Sequence, residues 1–314
     1  MAEGTKKIKE KRIDLIGKSQ HTKELKHFIK KAAKSDCNCL LIGETGVGKD
    51  IVAKSIHCLS KRRDKHFVKF NCANISEDLF ESELFGHAKG AFTGATTNKT
   101  GLIEKADKGT FFFNEIADAY PYTQAKLLDI IEDKELRRLG ENKSRKIDVR
   151  FICATNKNIS KMMKKAEFRE DLFFRINVLF FHIKPLRERK QDIPLLVKSY
   201  LEKKSLELSQ NIIINKEAVS KLMNYSFPGN VRELENILER AFSLSNSGEI
   251  TRDEIEFTIS NIAYLKKESK SNITPEKAIQ TIKKFNGNKT KAAKALCISR
   301  PTLYELEKKA NKYK

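Results

Sequence analysis

Between Ile13 and about residue 183, short apolar runs alternate with stretches whose apolar residues recur at helical spacing. Cys39–Ile42 (CLLI), Phe67–Phe70 (FVKF), Thr110–Phe113 (TFFF) and Val149–Thr155 (VRFICAT) read as strands buried on both faces of a sheet, with helices between them. Strands and helices alternating at this length imply an α/β fold, a parallel sheet covered on both sides. After Pro185 the pattern becomes helical throughout. Residues 192–208, 216–225 and 231–244 each carry apolar positions at helical spacing, which predicts a small helical subdomain. Residues 266–272 (KKESKSN) are polar enough for a linker. Thr274-Pro275-Glu276 then opens another helical unit, with a cap, a first-turn proline and an acid at the positive end of the helix dipole. The expected division is a basic tail (1–12), an α/β domain (13–184), a helical subdomain (185–262), a linker (263–273) and a small all-α unit (274–314).

Composition narrows the class. The chain has 314 residues, of which 33% are charged, with 62 Lys and Arg against 41 Asp and Glu and a formal net charge of +21. No apolar run approaches the roughly 18 residues needed to cross a bilayer, and the amino terminus lacks the apolar core of a secretory signal, so a cytoplasmic protein without membrane contact is expected. Cys37, Cys39, Cys58, Cys72, Cys153 and Cys297 are too scattered for a disulfide framework or a paired metal site and read as reduced thiols. The positive balance favours a polyanionic partner but does not identify one, because lysine-rich surfaces also serve solubility.

The segment Gly43-Glu44-Thr45-Gly46-Val47-Gly48-Lys49-Asp50 follows the CLLI strand and opens a helix expected to run through Leu59, the setting a phosphate-binding P-loop requires. The glycines let backbone N–H groups turn onto phosphates, Lys49 neutralises the β and γ oxygens, and the helix dipole adds to the field. Asp50 stands where a magnesium-ligating Ser or Thr is usual. Farther on, Asn114 and Glu115 end the apolar TFFF strand, where a Walker B pair would hold magnesium and polarise water. Asn114 replaces the usual aspartate, so a metal role falls to Asn114 and Asp50 through water, and hydrolysis is expected to be slowed.

Between these motifs lies Glu81–Ala95, ESELFGHAKGAFTGA. With that segment the chain resembles the AAA+ P-loop domain, with its helical lid, of bacterial sigma-54-dependent transcriptional activators, whose hallmark is GAFTGA. Asn71 in FNCANI, ATN at 154–156, FREDLFFR at 168–175, PLRERKQDI at 185–193 and FPGNVREL at 227–234 continue the resemblance in order, over about residues 13–309. It implies ATP and Mg²⁺ as cofactors, a ring of subunits, expected to be a hexamer, and sigma-54 RNA polymerase as partner. Glu115 would be the catalytic carboxylate and Asn71 the residue holding it aside. Asn156 would be sensor I, Arg169 and Arg175 the fingers reaching a neighbour's γ-phosphate, and Arg232 sensor II. Gly90, Ala91, Phe92, Thr93, Gly94 and Ala95 would touch sigma-54. On residue type alone the same side chains read as strand-end amides, surface ion pairs and a glycine-rich turn.

The last unit resembles the Fis-type helix-turn-helix that ends these activators, which implies double-stranded DNA as a partner through Lys289, Lys291, Ser299, Arg300, Thr302 and Tyr304. A dimerisation module is the alternative. From Lys266 onward there are 14 Lys and Arg against 4 Asp and Glu. Cys297 stands where the family usually has glycine, and Glu305 and Glu307 where a recognition helix is usually basic. The receiver or ligand-sensing domain usual in the family is not expected in a twelve-residue tail. Two functions follow: an ATP-hydrolysing activator, or a nucleotide-binding switch that docks on sigma-54 or DNA and hydrolyses poorly because of Asn114.

Overall fold

In a computed structural model the described residues are 15–245, 248–257, 275–285, 287–296, 303–304 and 306–307. They fall into two compact units that divide at residues 255 and 256.

The first unit is built on five parallel strands: β1 (Cys39–Ile42), β2 (Phe67–Asn71), β3 (Thr110–Asn114), β4 (Arg150–Thr155) and β5 (Leu179–His182), in the order β2-β3-β4-β1-β5. The main helices of this unit are α1 (Gln20–Lys34), α2 (Lys49–Cys58), α3 (Glu77–Phe85), α4 (Pro121–Asp133), α5 (Glu170–Ile176), α6 (Ile193–Leu208), α7 (Lys216–Met223) and α8 (Asn230–Leu244). Successive residues of the central strands serve opposite faces, and both faces are covered. Leu40, Phe111, Phe113 and Cys153 pack with α3, α4 and α5, whereas Cys39, Leu41, Phe112, Ile152 and Ala154 pack with α1 and α2. That double burial explains the continuous apolar runs, each phenylalanine contributing about 1.5–3 kcal/mol.

β5 lies outside the pattern of strands buried on both faces. As an edge strand paired only with β1, it leaves Phe180 half exposed and lacks a buried run. The short hairpin Glu135–Arg137/Ser144–Lys146 is unmarked by any apolar run. The lid helices α6, α7 and α8 close over Val197, Leu201, Leu222, Leu234 and Leu238. The buried Cys39, Cys72 and Cys153 are unpaired thiols, and burial pushes Cys39 up to about 12 and also raises the other two. Among the described residues no helix is long and apolar enough to cross a membrane.

One buried carboxylate ties the start of the fold to the lid. Asp192, fully buried, accepts from Lys18 N–H and Ser19 N–H at 2.7 Å, Ser19 Oγ at 2.8 Å and Thr22 Oγ1 at 2.6 Å. Gly17 is obligatory beside it, because a Cβ there would lie 2.7 Å from Asp192 Cγ. Burial pushes the Asp192 carboxyl up, yet the hydrogen bonds from Thr22, Ser19 and Lys18 outweigh it and hold the group below its ordinary value. The stabilisation is therefore complete above the unfolded value near 4 and is lost as pH falls through the folded one. Asp192→Asn is expected to cost about 2 kcal/mol near neutral pH. Thermal melts at neutral and acid pH should show the gap between wild type and variant closing as the pH drops.

The second unit contains α9 (Pro275–Lys284) and α10 (Lys289–Ala295), packed with Leu303 around Ala278, Ile282, Ala292 and Ala293.

Candidate nucleotide site

The strand order reverses at β1, whose neighbours are β4 and β5, and a ligand crevice opens outside the carboxyl ends of strands at such a switch point. Register brings the chemistry there: Asn71 lies opposite Asn114, Asn114 opposite Ala154, and Ile42 opposite Thr155. Residues 43–48 leave β1 and turn into α2, with Gly46 and Gly48 at φ of +80° and +100°. Lys49 begins that helix and is buried, its ammonium donating to Gly43 O at 2.8 Å and Glu44 O at 3.4 Å and pairing with Glu115 Oε1 at 3.0 Å. Glu115 sits in left-handed backbone at φ +56°, a strained conformation for a non-glycine residue at a site that needs its side chain aimed back at the loop. Its other oxygen accepts from Asn156 N–H at 2.8 Å, while the Asn156 amide donates to Thr45 Oγ1 at 2.9 Å.

Several expected pairings differ. Asn71 meets Asn114 rather than Glu115: the Asn114 amide donates to Asn71 Oδ1 at 3.5 Å, an arrangement an aspartate could not make. Glu115 is instead held by Lys49 and the Asn156 backbone. The Asp50 carboxylate turns to Lys69 on β2, and Asp118, the next carboxylate beyond Glu115, is paired with Lys157. Arg169 pairs with Asp171 and Arg175 with Glu132, each exposed and bonded to no member of the cluster around Lys49. Among the described residues no three His, Cys, Asp or Glu gather as a metal site. A site without gathered carboxylates fits a metal held chiefly by nucleotide phosphates and water.

The lid grips the same loop through residues of the segments 185–193 and 227–234. Arg187 donates to both Glu44 oxygens at 2.7 and 2.8 Å and holds that carboxyl down to about 2. Arg189 donates to Val47 O at 2.9 Å, and Val231 N–H to Gly46 O at 3.0 Å. Arg232 follows in the first turn of α8, close enough that a Cβ on Gly46 would stand 3.2 Å from its own. A cavity of about 340 Å³ opens between α6 and α8, lined among others by Ile16, Tyr200, Val231 and Leu234.

The GAFTGA loop is closed by Gly90 N–H donating to Ala95 O at 2.8 Å, with Gly90 and Gly94 at φ of +84° and +102°. Phe92 rests edge-on against His87 at 5.0 Å between ring centroids and remains 45% exposed, open to a further contact. His87 is itself fixed by Ser82 Oγ at 2.8 Å from Nδ1.

In the second unit Lys289 is committed internally, donating to Glu307 at 2.8 Å and lying 4.6 Å from the centre of the Tyr304 ring. Lys289 and Glu307 are thus paired with each other within the unit. Tyr304 is half exposed. Ser299, Arg300, Thr302, Cys297, Glu305 and the Lys291 side chain lie outside the described residues.

Three family models match the chain: a Sigma-54 interaction domain over residues 15–182, an AAA+ ATPase lid domain over 187–272, and a bacterial regulatory protein of the Fis family over 279–305. A Nif-specific regulatory protein of Bradyrhizobium diazoefficiens is 46% identical over 240 residues, which are 76% of this chain and 41% of the relative. The transcriptional regulatory protein ZraR of Salmonella typhimurium is 39% identical over 297 residues, 92% of this chain and 67% of the relative. A crystal structure of NtrX from Brucella abortus in complex with ATP shares 30% identity at a TM-score of 0.71, covering 94% of this chain and 69% of that one. The chain thus spans 41% of the length of the Nif-specific relative, and more of ZraR.

Proposed function

We propose, since the chain belongs to the family of sigma-54-dependent transcriptional activators, that it binds ATP with Mg²⁺ at the loop Gly43–Asp50 and hydrolyses it within a ring of subunits to open sigma-54 promoters. The observation that carries the reading is the ion pair of buried Lys49 with Glu115, tied to Thr45 by Asn156, at the switch point of the sheet. Lys49 meets the phosphates, whose arrival displaces Glu115 from the ammonium and leaves that carboxylate to orient a water. Bound Mg²⁺ would screen the phosphate oxygens. Asn156 and Arg232 sense the nucleotide from the sheet and the lid. Arg169 and Arg175, exposed and away from the chain's own loop, act on a neighbour's γ-phosphate. The 90–95 loop presents Phe92 and Thr93 to sigma-54. The unit from residue 274 binds double-stranded DNA, with Arg300, Thr302 and Lys291 as the leading contacts. The working division remains an ATPase domain over 13–184, a lid over 185–262 and a DNA-binding unit over 274–314.

The second reading, a switch that binds nucleotide and hydrolyses poorly, is favoured by one observation. Asp50 and Asp118 are committed to lysines, and Asn114 offers the metal a dipole where a charge is usual. Asn114→Asp is therefore expected to raise steady-state ATP turnover by about tenfold and to lower the magnesium needed for half-maximal rate. Turnover unchanged or reduced by that substitution would show that the site has re-formed around asparagine. A wild type that binds ATP without turnover, restored by the substitution, would make the chain a switch.

A further inference from the structure

Asn230 is fully buried, and its carboxamide is used at both ends. Its oxygen accepts from Leu186 N–H at 2.7 Å, and its nitrogen donates to Glu44 Oε2 at 3.1 Å and to Thr45 O at 3.0 Å. The backbone beneath it is strained. Phe227 and Asn230 both lie in the left-handed region, at φ of +46° and +55°, and a turn closed by Asn230 N–H on Phe227 O at 2.8 Å joins them. Two such residues in four persist only where surrounding structure over-determines them, and such strain gathers at functional sites. Here the surroundings are the phosphate loop itself. Val231 N–H follows onto Gly46 O, and Gly46 approaches so closely that a Cβ would stand 2.2 Å from Gly229 O. Residues 44–46 are thus laced, one after another, to residues 229–232.

We propose that Asn230 is a positioning residue of the nucleotide site: it registers α8 on the phosphate loop, so that the loop and the first turn of the lid helix hold one shape. The proposal rests on the nucleotide reading given above. A neutral carboxamide is suited to the task for a chemical reason. It must donate to a carboxylate and a carbonyl while accepting from a backbone N–H, and asparagine does this while tolerating left-handed backbone. Loss of the donor leaves Glu44 and Thr45 O less well held and frees the loop, and the ordering that the fold now supplies would be charged to nucleotide binding.

Asn230→Asp is the discriminating variant, because aspartate keeps the shape, the backbone tolerance and the acceptor for Leu186 N–H while turning an oxygen toward Glu44. Calorimetric titration of the full chain with ADP should show affinity weakened by about tenfold, with a cooperative thermal transition retained. Adding Glu44→Gln should recover part of that loss, because removing the Glu44 charge relieves the carboxylate–carboxylate repulsion, while the glutamine keeps one oxygen to accept from Arg187. Rescue of this kind is the mark of direct pairing, which general damage to the fold would not give. Wild-type affinity in Asn230→Asp, or a double variant no tighter than Asn230→Asp, overturns the proposal. If Asn230→Asp has no cooperative transition, Asn230→Gly serves instead: it relieves the backbone and removes only the carboxamide, with the same loss expected and wild-type affinity overturning. An absence of ADP binding by the wild-type chain would instead remove the nucleotide site, and the proposal with it.

Discussion

Lys49→Ala is expected to weaken ATP binding by about a hundredfold or more, the largest effect on affinity at the site. Two losses combine. The ammonium is the buried cation of the loop, held by Gly43 O and Glu44 O, so its removal takes away a charge-assisted contact to the phosphates. Removal also strands the Glu115 carboxylate, largely buried and 3.0 Å from the lost nitrogen, facing the incoming negative charge. The second loss separates this account from a simple loss of contact. Glu115→Gln added to Lys49→Ala should restore part of the affinity, although each residue serves the site when alone. Calorimetric titration with ATP reads both numbers. Unchanged affinity in Lys49→Ala would sink the site, and a double variant weaker than the single would sink the electrostatic coupling.

The largest effect on turnover is expected at Arg169 and Arg175, where alanine should lower the rate about a thousandfold while leaving ATP affinity nearly intact. Their present partners cost little to give up, because Asp171 and Glu132 form exposed ion pairs with them, and such pairs contribute at most about 1 kcal/mol. A γ-phosphate gathering charge as it approaches its transition state offers more. Action on a neighbour adds a consequence that a site within one chain lacks. Arg169→Ala mixed with Lys49→Ala should turn ATP over faster than either alone, because some interfaces then join an intact loop to an intact finger. Specific activity should also rise with protein concentration. Constant specific activity on dilution, or no recovery on mixing, would contradict catalysis between subunits.

The sheet was legible where burial on both faces left an unbroken apolar run, as in TFFF and VRFICAT, and illegible at β5, where an edge position lets Phe180 face outward. The phosphate loop was legible because its glycines and lysine act through spacing along one segment. Partners across the fold were not. Nothing in the order of residues joins Glu44 to Arg187 and Asn230, or Asp50 to Lys69, since each pair closes only when distant segments meet. The same limit hid the partner of Asn71, which register sets beside Asn114 with their amides paired, and that of Glu307, which pairs with Lys289. Asn114 itself was visible as a departure, but the bond that its amide makes was not.

The central claim, that nucleotide hydrolysis by this chain opens sigma-54 promoters, is tested most directly by permanganate footprinting of a sigma-54 promoter with sigma-54 RNA polymerase and the purified protein. The account predicts strand melting with ATP, none with a non-hydrolysable analogue, and none with ATP when Phe92 is replaced by Ala. Melting with the analogue, or an absence of melting by a protein that turns ATP over under the same conditions, would contradict it.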